Sequence, residues 1–260
     1  MTSSRRDFLK IAGASALTLL APSIFVPTWA EDAMVIPPGR AYGPTPALSA
    51  RRWAMAVDLA RCTTDCTDCI AACHAVHNVP NFSNSKDDVK WIWTEPFTAV
   101  FPAENHPYSG QALQKLKVPV LCNHCDNPPC VRVCPTGATF ARPDGIVMMD
   151  YHRCIGCRLC MAACPYGARS MNYRDPRPGI SAINPNFPTR AKGVVEKCNF
   201  CEERLAKGIP PACVAACRQK ALVFGDVEDP RSDIRLLLEK RFSLRRRAHL
   251  GTGPQIYYLL

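Results

Sequence analysis

The sequence predicts an α+β fold of two interlocked units, each built from short strands and helices, with loop-rich insertions and a C-terminal helix and tail. Three observations lead there. All sixteen cysteines fall into four sets of four: Cys62, Cys66, Cys69, Cys73; Cys122, Cys125, Cys130, Cys134; Cys154, Cys157, Cys160, Cys164; and Cys198, Cys201, Cys213, Cys217. Matching turns follow the second and third sets, Cys134-Pro-Thr-Gly137-Ala138 and Cys164-Pro-Tyr-Gly167-Ala168, which makes them an internal repeat. Finally, 260 residues with 47% hydrophobic content allow one or two globular domains with real cores.

The third set, Cys154-Ile-Gly-Cys157-Arg-Leu-Cys160-Met-Ala-Ala-Cys164-Pro165, is spaced C-x2-C-x2-C-x3-C-P, the bacterial ferredoxin run. With this spacing a short loop wraps three thiolates around one iron-sulfur cube. The fourth cysteine, carried off on the next turn, reaches a second cube. Gly156 suits a backbone passing close to inorganic sulfide, and Pro165 ends the following helix. Four complete tetrads with no cysteine left over are what four 4Fe-4S clusters require. A zinc site pairs two C-x2-C hooks across a longer gap and needs no third cysteine two residues on, and a disulfide framework needs no such grouping. The two units are therefore expected to be ferredoxin-like, of βαβ type.

The formal charge of +10 looks suited to nucleic acid, but it counts every cysteine as neutral. An oxidised cube with four thiolates carries about two negative charges, so four cubes remove about eight. The segment over 1–30 takes Arg5, Arg6 and Lys10 against Asp7 with it if cleaved. The remaining holo-protein is near neutral, and no nucleic-acid partner is expected.

In chain order, Ser4-Arg5-Arg6-Asp7-Phe8-Leu9-Lys10 followed by an apolar stretch ending at Ala30 reads as a twin-arginine export signal. That route carries folded proteins, so cofactors can occupy the thiols before the chain meets an oxidising compartment. Residues 31–50 are rich in proline and glycine, an extended arm. Residues 51–80 and 194–228 form the outer unit, opened by a strand over Arg52 to Asp58 that delivers Cys62. Residues 81–117 are an insertion in which Val89, Trp91 and Trp93 alternate with polar or smaller neighbours at strand period. Residues 118–175 form the inner unit, with a hairpin strand over Gly145 to Asp150, and 176–193 a loop. Cys217-Arg218-Gln219-Lys220 repeats the post-cysteine turn without its proline. Over 229–260, Asp229-Pro230 offers a helix N-cap, with Ile234, Leu237, Leu238 and Phe242 on one face, and Arg245-Arg246-Arg247 reads as a solvated charge run. Cys69, Cys73 and His74 form a stretched haem-attachment pattern, but both cysteines already belong to a tetrad. His106, His124 and His152 read as satisfied polar residues.

The four sets in this order resemble the NrfC/DmsB-like four-cluster electron-transfer subunits that accompany molybdopterin oxidoreductases and quinone-reactive membrane proteins. Within them, Cys122-Asn-His-Cys125-Asp-Asn-Pro-Pro-Cys130, Phe224-Gly225-Asp226 and the ending His249 to Tyr258 resemble the exported branch with the DsrO-type subunits of DsrMKJOP membrane complexes. The resemblance implies cross-paired ligands: Cys122, Cys125 and Cys130 with Cys164; Cys154, Cys157 and Cys160 with Cys134; Cys62, Cys66 and Cys69 with Cys217; Cys198, Cys201 and Cys213 with Cys73. It also implies a periplasmic location, a quinone-reactive integral-membrane partner of NrfD/DsrP type and a multihaem cytochrome c as a further partner. Two departures concern the outermost cluster: the extra residue between Cys62 and Cys66, and Arg218 where proline is usual.

The sequence contains no nucleophile–base set, phosphate loop or dinucleotide fingerprint, and each cube would have four protein ligands and no open iron. Electron transfer without bond chemistry is the expectation. Opposed to the DsrMKJOP reading stand the electron-transfer subunit of a molybdopterin enzyme, such as a polysulfide, tetrathionate or nitrite reductase, and, from another class, a zinc-stabilised structural protein. After the signal no apolar run is long enough to span a bilayer.

Overall fold

The computed structural model describes residues 46–260 except 64, 83, 105, 107 and 109. The export signal and most of the proline-rich arm lie outside the described residues. In chain order the elements are β1 (Trp53–Asp58), α1 (Asp68–His77), β2 (Ile92–Pro96), α2 (Phe97–Val100), α3 (Gln111–Lys115), β3 (Lys117–Leu121), α4 (Pro129–Arg132), β4 (Thr139–Ala141) and β5 (Val147–Met149). They continue with α5 (Leu159–Ala163), β6 (Ser170–Met171), β7 (Val195–Glu196), α6 (Glu202–Leu205), α7 (Ala212–Ala216), β8 (Leu222–Asp226), α8 (Asp233–Lys240), β9 (Ser243–Leu244) and β10 (Ile256–Leu259). The architecture is α+β and ferredoxin-like, with short elements hung between cysteine loops.

Strand β1 is buried along its whole length because its two faces do different work. Trp53, Met55 and Val57 enter the main core, whereas Ala54 and Ala56 leave room for Ile234 of α8 and Leu259. Its neighbours are β8, antiparallel with Trp53 opposite Asp226, and β10, parallel with Met55 opposite Ile256. The sheet runs β8-β1-β10-β9. The stretch over 229–260, expected to be a helix and tail, thus supplies two strands, one of them interior. A parallel pairing between the two ends of a chain leaves no local trace in sequence.

The helix in that stretch starts later than expected. Asp229 caps only a turn, accepting from the Arg231 N–H at 3.0 Å, while the Ser232 hydroxyl accepts the helix-opening bond from Arg235 N–H. Ile234 is buried as expected, but Phe242 lies beyond the helix end and is exposed. Arg246 also departs from its solvated reading and is buried.

Strand β2 begins at Ile92 and pairs antiparallel with β3. Trp91, just ahead of it, is fully buried against His77, with ring centroids 4.5 Å apart, so the aromatic spacing reflects packing more than pairing. The hairpin β4–β5 joins the second and third cysteine sets, and β6–β7 leads into the fourth.

Three post-cysteine turns share one geometry. Gly137, Gly167 and Lys220 each stand three residues after a cysteine, donate to its carbonyl and take a left-handed φ of 64°, 64° and 51°. Gly156 also has positive φ, and its close approach is to protein: a Cβ there would lie 2.3 Å from the Gly193 carbonyl oxygen.

Candidate iron-sulfur centres

The structure gathers the cysteines into groups that cross the sequence sets. Cys62, Cys66 and Cys69 line one small cavity with Cys217. Cys122, Cys125 and Cys130 line a second with Cys164. Cys73, on the buried side of α1, stands within electrostatic reach of Cys198, Cys213 and Cys201, and all four are buried. Cys154 and Cys160 are neighbours, share an apolar cluster with Cys134 and with Cys130 of the second group, and Cys157 is exposed. Helix α1 thereby splits its cysteines between two groups: Cys69 faces one and Cys73 the next.

The groups also form a series. Cys213 senses Cys69, Cys198 senses Cys122, and Cys160 senses Cys130. The order is therefore the Cys62 group, the Cys73 group, the Cys122 group and the Cys154 group. The Cys73 group is wholly buried, while the terminal groups reach the surface.

These surroundings fit a metal-sulfur cluster and suit free thiols poorly. Burial, then its neighbours Cys62 and Cys66, push the Cys69 thiol up to about 12; burial and then Cys122 do the same to Cys125. Such thiols ionise only where a metal cation takes the charge. Backbone N–H groups already aim at sulfur, from Ala221 to Cys217 Sγ at 3.2 Å, Ala212 to Cys201 Sγ at 3.3 Å and Phe200 to Cys198 Sγ at 3.4 Å. Asn123 and Arg169 line the second cavity, and Asn123 Nδ2 and Arg169 Nη2 are buried with no hydrogen-bond partner. Inorganic sulfide is an acceptor of the kind these orphaned donors need.

The chain's end closes over the second cavity. Asp126 and Asn127 N–H donate to the Gly253 and Thr252 carbonyls, and Gln255 N–H returns to the Asn123 carbonyl. A Cβ at Gly253 would collide with Asp126, so the glycine is required by this contact. Arg218, the departure from the usual proline, grips Asp68 at the start of α1 through two bonds of 2.7 and 3.2 Å. It ties the fourth set to the first.

Near the sites, His77 and Glu203 carried no signal in the sequence. His77 Nε2 meets Glu203 Oε1 at 2.9 Å, and these two with Cys201 lie within 4.8 Å of one another, but Cys201 belongs with the Cys73 group. His124 is only half satisfied: Nδ1 accepts from the Val147 N–H at 3.1 Å, while Nε2 is buried without a partner. Burial, then Lys197, Arg52 and Arg169, push its imidazole well below the usual range. His74 lines a groove beside β2, and His152 is exposed.

Four-thiolate groups in series define the class: a polyferredoxin-like 4Fe-4S electron-transfer protein. Two 4Fe-4S dicluster domain families match, over residues 113–177 and 153–221. The chain is 41% identical to the Hdr-like menaquinol oxidoreductase iron-sulfur subunit 1 of Archaeoglobus fulgidus, over 98% of this chain and 97% of that one. It is 35% identical to a subunit of the tetrathionate reductase of Salmonella typhimurium (100% and 89% covered) and 34% identical to protein NrfC of Escherichia coli (99% and 95%). The chain belongs to the NrfC/DmsB-like family of 4Fe-4S electron-transfer subunits, and it carries four 4Fe-4S clusters. It is a non-catalytic subunit of a redox complex, which sets the zinc reading aside. Among the described residues no helix is long and apolar enough to cross a membrane.

Proposed function

We propose that this chain relays electrons between a quinone-reactive integral-membrane subunit of NrfD/DsrP type and a second redox partner, a multihaem cytochrome c, in a DsrMKJOP-type complex of dissimilatory sulfur metabolism. Twin-arginine export would place it in the periplasm, held to the membrane by its partners. The observation that carries the reading is the series of four cysteine groups, buried between two terminal groups that reach the surface. Such a series offers a path for an electron from one end to the other.

In this reading the ligand sets are the groups described: Cys62, Cys66, Cys69 and Cys217; Cys73, Cys198, Cys201 and Cys213; Cys122, Cys125, Cys130 and Cys164; Cys134, Cys154, Cys157 and Cys160. The bound clusters supply one-electron exchange. The chain's own residues hold the thiolates, exclude water from the middle of the series and direct N–H groups at sulfur. The 41% identity to a menaquinol oxidoreductase subunit supports the quinone partner.

The 35% identity to a tetrathionate reductase subunit supports a second reading, the electron-transfer subunit of a molybdopterin enzyme. Purification of the native complex through a tag on this chain separates the two. Haem c and a quinone-reactive membrane subunit without molybdenum support the first; stoichiometric molybdenum overturns it in favour of the second.

A further inference from the structure

Two cations largely withdrawn from solvent are answered by a carboxylate. Arg190 Nη2 meets Glu196 Oε2 at 2.5 Å with both side chains fully buried, and Arg52 is paired with Asp126. Among the described residues three buried cations have no acid partner: Lys197, Arg169 and Arg246, at 1%, 5% and 7% exposure. An ionised group so placed costs several kcal/mol unless another charge answers it.

All three converge on one of the four cysteine groups. Arg169 lines the Cys122 cavity itself, and its guanidinium is held charged, against burial, by Cys130, Cys122 and Cys160. Its remaining partners are neutral, the Thr139 hydroxyl at 3.1 Å and the Met149 sulfur at 3.7 Å. Lys197 Nζ donates to the carbonyl of Val147, which lines the same cavity, and at 2.6 Å to that of Cys198 in the adjoining group. Arg246 stands over the ring of Tyr166, another lining residue, 5.6 Å from its centroid, with Nε and Nη1 lacking any partner.

The other groups are differently surrounded. The Cys73 group shares Lys197, which lowers Cys198, but beside it also stands Glu203, whose negative charge opposes that effect at Cys198 and raises Cys201. Beside the Cys62 group the Arg218 charge is cancelled by Asp68 in the open. The Cys154 group shares Arg169 but opens to water at Cys157, where screening weakens any charge.

Resting on the ligand assignment proposed above, we infer that Arg169, Lys197 and Arg246 make the Cys122, Cys125, Cys130 and Cys164 site the electron well of the series, the cluster with the highest reduction potential. An added electron increases the negative charge of that site. Fixed cations in a low-dielectric surround favour the increase, and no buried carboxylate opposes it. The chain would then hold an electron at its third group and pass further ones across it, buffering a one-electron partner against a two-electron quinol.

The test is an EPR-monitored redox titration of the anaerobic holo-protein, with iron assayed in every sample. In the wild type, the first signal to appear on reduction should be the one missing from Cys122→Ser. Arg246→Gln, whose side chain stacks on Tyr166 of the Cys122 cavity, should delay that signal by at least about tenfold in the reduced-to-oxidised ratio, equivalent to about 59 mV for one electron, and leave the rest unmoved. Arg169→Gln should delay it and the Cys154-group signal together. The charge-keeping Arg246→Lys and Lys197→Arg should titrate as wild type, which separates charge from packing. The inference is overturned if the highest-potential signal survives in Cys122→Ser, or if both glutamine variants hold full iron with unmoved midpoints. Should either variant lose iron, the wild-type signal order against Cys122→Ser decides alone. If instead Cys164→Ser and Cys122→Ser remove different signals, the ligand assignment is what fails.

Discussion

Met55 and Ile256 lie opposite one another on parallel strands, so the last strand of the chain is an inner strand of the sheet that its first described strand begins. The contact continues outward: Met55 N–H donates to the Gln255 carbonyl at 3.0 Å, and Gln255 N–H donates to Asn123 beside the second cysteine cavity. Fold closure and cover of a cluster site are thus one structural act.

A chain ending at Pro254 should therefore fail to accumulate as holo-protein, although it keeps every cysteine. Ile256→Ala is the graded form of the same experiment. With Ile256 fully buried, it should cost about 2–5 kcal/mol and lower the unfolding midpoint while iron content holds. Full iron and wild-type stability in the truncated chain would show that the terminal strand is dispensable.

The buried Arg190–Glu196 pair gives a second prediction. Glu196 also accepts from Trp91 Nε1 at 2.9 Å and from Asn172 Nδ2 at 2.5 Å, while Arg190 reaches the His77 and Asn78 carbonyls. Glu196→Gln leaves a guanidinium buried with only neutral partners and should cost about 3–5 kcal/mol. Removing the cation as well, in Arg190→Met with Glu196→Gln, should recover part of that loss. Anaerobic denaturant titrations read both, and equal midpoints for the single and double variants would remove the charge argument.

How far the fold could be read in advance depended on range. Ligand spacing is local, so Cys154 to Cys164 announced its chemistry, and the turns at Gly137, Gly167 and Lys220 announced the repeat. Strand β1 was legible because its large and small residues alternate within six positions. Strand β10 was not, since Ile-Tyr-Tyr-Leu after a glycine-rich stretch has no partner nearby in sequence. The same holds for Arg246: three arginines in a row suggest solvent, and the contact that marks one of them as a buried cation is with the Tyr166 ring, far away in sequence. At Gly156 the need for a missing Cβ was legible, but not the Gly193 carbonyl that a Cβ would meet, since the chain brings it there from a distant loop.

Export gives a prediction that bears on residues outside the described ones. If Arg5 and Arg6 are read by the twin-arginine machinery, replacing both with lysine keeps the charge and removes the recognised pair. The folded, iron-bearing precursor should then collect in the cytoplasm, as cell fractionation and iron assay would show. Normal periplasmic accumulation of the double variant would falsify the assignment.

The cross-pairing of ligands is the most exposed part of the functional reading. Cys164 closes the run that starts at Cys154, but it lines the cavity of Cys122, Cys125 and Cys130. Burial raises its thiol, and the next cause is Cys122, a member of the other run. Cys164→Ser should accordingly perturb the same EPR signal as Cys122→Ser and spare the one perturbed by Cys154→Ser. Serine can still ligate iron, so a shifted midpoint in the shared signal counts with its loss. A signal shared instead with Cys154→Ser would mean that each run closes its own cluster. The two units would then be separate modules, and the alternation of runs that binds neighbouring clusters into one path would have no structural basis.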